Sequence, residues 1–306
     1  MKMTKTRKKI LFFMNMMSGV GNGRRDFVSI VEALSKEGCE VTVYPIIPEA
    51  SFDMDEVIKS RSKDFDIIMC YGGDGTLNYL VNSMVKNNID KPIGYIPGGS
   101  ANDFSRNFDD TKSIEEKCEA IAKGKTYAYD IGLFNDKTYF NYVAAFGAFT
   151  KTSYTTSSEA KKLLGYGAYA ISALAAIPES FSYRLNMEIT HDNGVEKGTY
   201  IYGCISNSLS VGGMKLPFYK TASLDDGLFE VLLVKSPDNV ADVVTILNDM
   251  SIGKVDDKYI HSFKTSKLII KADEKIMWTI DGEYGGEYKN TTIDIIPKKV
   301  EIMVKK

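Results

Sequence analysis

Residues 66–78, DIIMCYGGDGTLN, decide how the chain reads. The run from Ile67 to Tyr71 is apolar at every position, which suits a strand buried on both faces of a parallel sheet. It stops at three glycines, Gly72, Gly73 and Gly75, that surround one acid, Asp74. Glycine lets backbone N–H groups approach an anion closely, and an amphipathic segment starting near Thr76 adds the positive end of a helix dipole. A strand, a glycine loop and a helix in that order place the loop at the strand's carboxyl end. Ligands of open α/β sheets bind there.

Outward from this stretch the same alternation repeats. KILFFM, EVTVYPI, DIIMC and IGYIP read as short buried strands, separated by helical periods at 25–37, 53–62, 76–87 and 113–123. That is a doubly wound α/β domain, expected over 1–128, with a tail at about 299–306 able to return to it. From AYDIGLFN onward strands such as TYIYGCISN, LFEVLLVK, KLIIKA and IMWTID alternate with Gly, Asn and Asp turns, so 129–298 is expected to be an antiparallel β-sandwich. Helical insertions are expected at 159–178 and 238–250.

Composition sets limits on function. The chain has 306 residues, 44% of them hydrophobic and 25% charged, with a net charge of -2. Two domains follow from a prior of roughly 100–200 residues each, and the charge argues against nucleic acid as a partner. Cys39, Cys70, Cys118 and Cys204 form no C-x-x-C pair, and His191 and His261 are too few for a histidine metal centre. The basic start followed by Ile10 to Met14 stops at Asn15, short of a signal peptide. Ala168 to Ile177 is shorter than the ~20 residues that cross a bilayer. A cytoplasmic protein is expected.

Two companion loops repeat the chemistry of the first. IPGGSANDFSR sets Gly98, Gly99 and Ser100 before Asn102 and Asp103, and NMMSGVGNG offers Asn15, Ser18 and Gly19. Each alone could be a capped tight turn; together they make three strand ends suited to phosphate. Two nucleotide patterns fail: Glu119 stands where a Walker A glycine would be, and Asn78 ends what would be a G-x-G-x-x-G run. Further on, KIMWTIDGE puts Asp281 at the end of an apolar strand, and Asp281–Gly282 also reads as a hairpin turn.

An N-x-x-S-G start, GGDGTLN, GGSANDF, LDDGLFEV and a late DGE, in that order, resemble the diacylglycerol kinase catalytic family, particularly its soluble bacterial lipid kinases. The resemblance covers nearly the whole chain and implies a Rossmann-like nucleotide domain, ATP and Mg²⁺ as cofactors, and a lipid hydroxyl as acceptor, met at the membrane surface. It implies that Gly73, Asp74, Gly75, Thr76 and Asn78 cradle the phosphates, with Gly72, Asn15, Ser18 and Ser100 alongside. Asp74 is then a partner of the nucleotide's Mg²⁺ or an orienter of the loop. Asp281 is implied as the base that takes the lipid proton, with Glu283 beside it. A structural Mg²⁺ is implied at Asp226, with the carbonyls of Ser223 and Leu228.

Met16, Tyr79, Ser100 and Ile46 depart from the family pattern. NAD kinases share GGDGT, so a soluble-substrate kinase is one alternative and a catalytically silent nucleotide or lipid sensor another. The segment 161–177, with Lys161 and Lys162, could line a lipid entrance or simply pack as a buried helix. A homodimer through a sheet edge is plausible.

Overall fold

Alternate residues of a strand face opposite ways, yet Ile10, Leu11, Phe12, Phe13 and Met14 of the first strand, β1 (Lys9–Asn15), are all fully buried. Such a strand needs cover on both faces. The computed structural model describes residues 7–18, 23–47, 53–99, 102–108, 113–147, 184–211, 214–215, 222–255 and 258–306, and it supplies that cover. The chain divides into two units, Met1–Asp130 with Pro297–Lys306, and Ile131–Ile296.

In the first unit β1 lies between β2 (Glu40–Ile46) and β3 (Ile67–Gly72), and β3 pairs with β4 (Ile93–Pro97), every pair parallel. The helices are α1 (Gly23–Lys36), α2 (Met54–Arg61), α3 (Asp74–Lys86) and α4 (Ile114–Lys123). Ile10, Phe12 and Met14 share one core with Ile30 and Leu34 of α1 and Cys118 and Ile121 of α4. By alternation Leu11, Phe13, Ile68 and Cys70 belong to the other face. α2 and α3 pack on each other, and α3 packs on β3.

α4 begins where the Ser113 side chain accepts the Glu116 N–H at 3.1 Å. Ser113→Ala is expected to cost about 1 kcal/mol of stability, the usual value of a lost N-cap. Chemical denaturation reads it as a lower midpoint at unchanged slope.

The second unit is antiparallel. Its strands are the end of β5 (Lys125–Phe134), then β6 (Thr138–Phe140), β7 (Val143–Gly147), β8 (Leu185–His191), β9 (Gly194–Ser206), β10 (Ser210–Val211) and β11 (Met214–Lys215). β12 (Phe229–Lys235), helix α5 (Val240–Ile252), β13 (Ile260–Thr265), β14 (Lys267–Ile280) and most of β15 (Glu283–Val304) complete it.

β9 pairs with β8 through Gly194–Tyr200 and with β7 through Tyr202–Ser206. β14 divides itself in the same way, Leu268–Ala272 on β8 and Trp278–Ile280 on β7. These four strands therefore form a closed ring of pairings, with two long strands passing from one partner to the other. Trp278 is fully buried in the core of this unit, edge-on to Phe134 and Phe146 at ring distances of 5.1 and 5.0 Å.

α5 starts two residues later than the sequence pattern suggests because Asn239 caps it, accepting the Asp242 N–H. The helix expected at 159–178, with the lipid-entrance segment, lies outside the described residues. Among the described residues no helix is long and apolar enough to cross a membrane.

Candidate active site

α3 begins at Asp74, two residues earlier than the pattern predicts, with Gly73 as its N-cap and no side chain capping it. A helix start without a side-chain cap is suited to receive an anion. Around it the loops of the first unit converge. Asp74 Oδ2 accepts the Asp103 N–H at 3.1 Å and Oδ1 the Phe104 N–H at 3.2 Å, so one carboxylate ties the GGDG loop to the GGSANDF loop. The Gly98 N–H donates to the Gly72 carbonyl at 2.8 Å. A Cβ on Gly99 would lie 2.6 Å from Gly73 Cα, so the two loops touch backbone to backbone and leave no room for a side chain.

The strand ends join the same place. Asn15 Nδ2 donates to Thr76 Oγ1 at 3.0 Å, and Ser18 Oγ donates to the Gly98 carbonyl at 3.0 Å. Asn102, at φ 52, closes a small ring on Gly99, accepting its N–H and donating to its carbonyl, each at 2.8 Å. Under the loop the Tyr95 hydroxyl donates to the Gly72 carbonyl at 3.2 Å. Burial pushes that phenol well above its ordinary pKa, with the Asp74 charge adding to the effect, and keeps it a donor. Asn78 sits one turn into α3, where its Oδ1 accepts from Asn82 Nδ2 at 2.9 Å. Gly75 is exposed in the first turn, and Ser100 lies outside the described residues.

In the second unit Asp281 and Gly282 are the two loop residues of the β14–β15 hairpin, closed by the pair Ile280 and Glu283. Their φ values, 47 and 87, are both positive, as a two-residue turn of the primed type requires. Asp281 is 4% exposed. Its Oδ2 accepts the Asn141 N–H at 2.7 Å and Asn141 Nδ2 at 3.3 Å, and its Oδ1 accepts the N–H groups of Tyr142 and Val143, each at 3.0 Å. The turn thus carries a carboxylate fixed by the entrance to β7. Glu283 is exposed at the start of β15.

The acid-rich turn before β12 is organised differently. Asp226 Oδ1 accepts the Leu228 N–H at 3.1 Å, and its Oδ2 lies 2.9 Å from Lys264 Nζ. Ser223 Oγ donates to Asp225 Oδ1 at 2.8 Å. Mg²⁺ takes oxygen ligands at about 2.0–2.1 Å, and an ammonium on the carboxylate that would lead the set offers only donors. The residues present therefore do not fit a structural ion at Asp226. Among the described residues no three His, Cys, Asp or Glu side chains are grouped to hold a metal. His261 Nδ1 instead lies 3.0 Å from Glu196, and His191 stacks on Phe263.

Lys264 Nζ also lies 3.0 Å from Oε1 of Glu230, an ion pair without hydrogen-bond geometry. Burial raises the Glu230 pKa to about 7; Lys264 lowers it in part, and the Asp226 charge adds to the rise. The folded state then holds a proton that the unfolded chain has already released, so this group's contribution to stability falls as pH rises from 4.5 to about 7. Glu230→Gln is expected to gain stability relative to the parent chain across that window. Melting curves of both proteins through the window check the sign.

The structure thus gathers Asn15, Ser18, Gly72, Gly73, Asp74 and Thr76 around one loop pair and sets Asp281 in a separate nest of donors. Sequence reading did not find the Asn141, Tyr142 and Val143 N–H groups, since any residue can supply a backbone donor. Lys264 was missed as well, being 38 residues from Asp226 with no local motif to mark it.

Residues 9–134 match the diacylglycerol kinase catalytic domain, and residues 144–304 match the YegS C-terminal NAD kinase beta sandwich-like domain. These two domains together define the class as a kinase with a sandwich partner domain. A diacylglycerol kinase of Staphylococcus carnosus is 30% identical over 92% of this chain and 90% of its own. One of Staphylococcus saprophyticus is 27% identical over 94% and 93%.

The chain belongs to the diacylglycerol kinase family, a family of lipid kinases. Its fold is shared with a crystal structure of a diacylglycerol kinase from Bacillus anthracis, with a TM-score of 0.75 at 19% identity over 99% of this chain and 98% of that one. A second solved structure from that organism reaches 0.83 at 22% identity over 99% of both chains.

Proposed function

We propose that the chain transfers the γ-phosphate of ATP to the hydroxyl of a lipid, with diacylglycerol the first candidate. The observation that carries this reading is the Asp74 carboxylate, which spans two glycine loops at a helix start that no side chain caps. Phosphoryl transfer rests on positioning and on neutralising phosphate charge, so histidine chemistry is not needed. Mg²⁺ would come with ATP as its counterion and would offset phosphate charge.

Gly73 and Gly75 offer backbone to the phosphates and Thr76 its hydroxyl, and Asn15 and Ser18 brace the neighbouring loops. Asp74 orients the loop, each of its oxygens accepting an N–H group of the second loop. Asp281 takes the proton of the lipid hydroxyl, with Glu283 two residues on. Its oxygens are held in place beforehand by N–H donors, so no reorganisation is needed to present the carboxylate. The acceptor class is supported by the Staphylococcus relatives, whose name is diacylglycerol kinase. Such a lipid is met at a bilayer, so the protein works at a membrane surface.

The test is transfer of labelled γ-phosphate from Mg·ATP to mixed micelles of diacylglycerol, phosphatidylglycerol, sphingosine or ceramide, with NAD as a soluble control. Label in diacylglycerol is expected. Label in NAD alone would replace the reading with a soluble-substrate kinase. No label anywhere, with ATP binding retained, would favour a silent sensor.

A further inference from the structure

The turn 222–228 and the strand after it bring two carboxylates close together, and the sheet answers them with a cation of its own. Glu230 and Lys264 are direct cross-strand partners in the antiparallel β12–β13 pair, so their side chains leave the sheet on the same face. From that position the ammonium lies 3.0 Å from Glu230 Oε1 and 2.9 Å from Asp226 Oδ2. The Glu230 side chain is 4% exposed, and that of Lys264 31%. The second Asp226 oxygen accepts the Leu228 N–H, which folds the turn back on itself. Strand register, rather than a ligand, therefore delivers the charge to the turn.

We infer that Lys264 is the resident cation of the Asp226–Glu230 turn, standing where a divalent ion would otherwise neutralise it. An ammonium seated on a carboxylate competes with a divalent cation for it, because a lysine head has no lone pair to give the metal and repels it. The protein then uses Mg²⁺ with its nucleotide and needs none at this turn.

The test uses the full chain with neither ATP nor lipid, so its outcome is independent of the kinase reading. Mg²⁺ alone is titrated by calorimetry, and melting temperatures are read with and without excess Mg²⁺ for the parent chain, Asp226→Asn, Lys264→Gln, Lys264→Arg and the Asp226→Asn/Lys264→Gln pair. The parent chain is expected to show no Asp226-dependent heat or melting shift. Lys264→Gln is expected to melt lower and to regain stability with Mg²⁺, a recovery absent from the double variant, while Lys264→Arg stays close to the parent. Two results would overturn the inference. One is a parent chain stabilised by Mg²⁺ alone with the effect lost in Asp226→Asn. The other is a Lys264→Gln protein that melts like the parent in both conditions. Should Lys264→Gln not fold, the titrations of the parent and Asp226→Asn decide alone.

Discussion

Asparagine in place of Asp281 is expected to lower turnover by roughly 10²–10⁴-fold, the range for loss of a general base, while Mg·ATP affinity stays near the parent value. The proposed proton acceptor is lost, and the phosphate loops of the first unit are untouched. Asparagine tolerates the left-handed φ of 47 at this position, so the turn itself survives. Stability falls as well. The carboxylate takes donors on both oxygens, and a carboxamide turns one of them into a donor facing donors. That costs about 1–3 kcal/mol. Activity must therefore be measured well below the melting temperature, alongside nucleotide affinity by calorimetry. A variant with parental turnover would return Asp281 to the role of a hairpin residue and nothing more.

Asp74→Ala is expected to weaken Mg·ATP binding and to reduce turnover by roughly 10²-fold, as a displacement of about 1 Å in a positioning element can. Two N–H groups, on Asp103 and Phe104, lose the Asp74 carboxylate together, and Asp103 is a buried residue. The two glycine loops are then no longer tied at their centre. Asp74→Asn separates two roles. A carboxamide oxygen can still hold one N–H, so a loop orienter keeps part of its function, whereas a metal partner loses its charge entirely. Unchanged nucleotide affinity and turnover in Asp74→Ala would remove the residue from the proposed site.

Much of this fold was legible because its signals are local. Runs such as Ile67–Tyr71, apolar at every position, short and closed by glycines, read as strands buried on both sides, and the helices between them follow. The change to alternating strands after AYDIGLFN likewise announced the sandwich. The errors come from interruptions that the three-dimensional structure absorbs. KLIIKA and IMWTID read as separate strands because Asp273 and Glu274 intervene, yet they are one strand, β14, with a register shift between Lys271 and Ile276. The pattern at TIDIIP ends at Pro297 and two lysines, but β15 continues through them, with Lys298 at φ 47 and its N–H held by Asp130 Oδ1 at 2.7 Å.

The site divides along the same line. Its glycines and acids are motif residues and could be named, whereas the N–H groups that fix Asp74 and Asp281 come from backbone at any side chain. Lys264 reaches Asp226 only through strand pairing, which no local window contains.

The first unit also has a history in time. Ile302 pairs with Ile93 of β4, and Lys298 donates to Asp130, so residues 297–306 are structural parts of a unit whose other members were made long before. During synthesis the first unit must wait, with one edge of its sheet open beside Ile93, while the whole of Ile131–Ile296 is produced. Exposed strand edges recruit other strands, so this is the interval in which the nascent chain is most vulnerable to mispairing. Deleting residues 297–306 would strike the unit whose other members are synthesised before Ile131–Ile296.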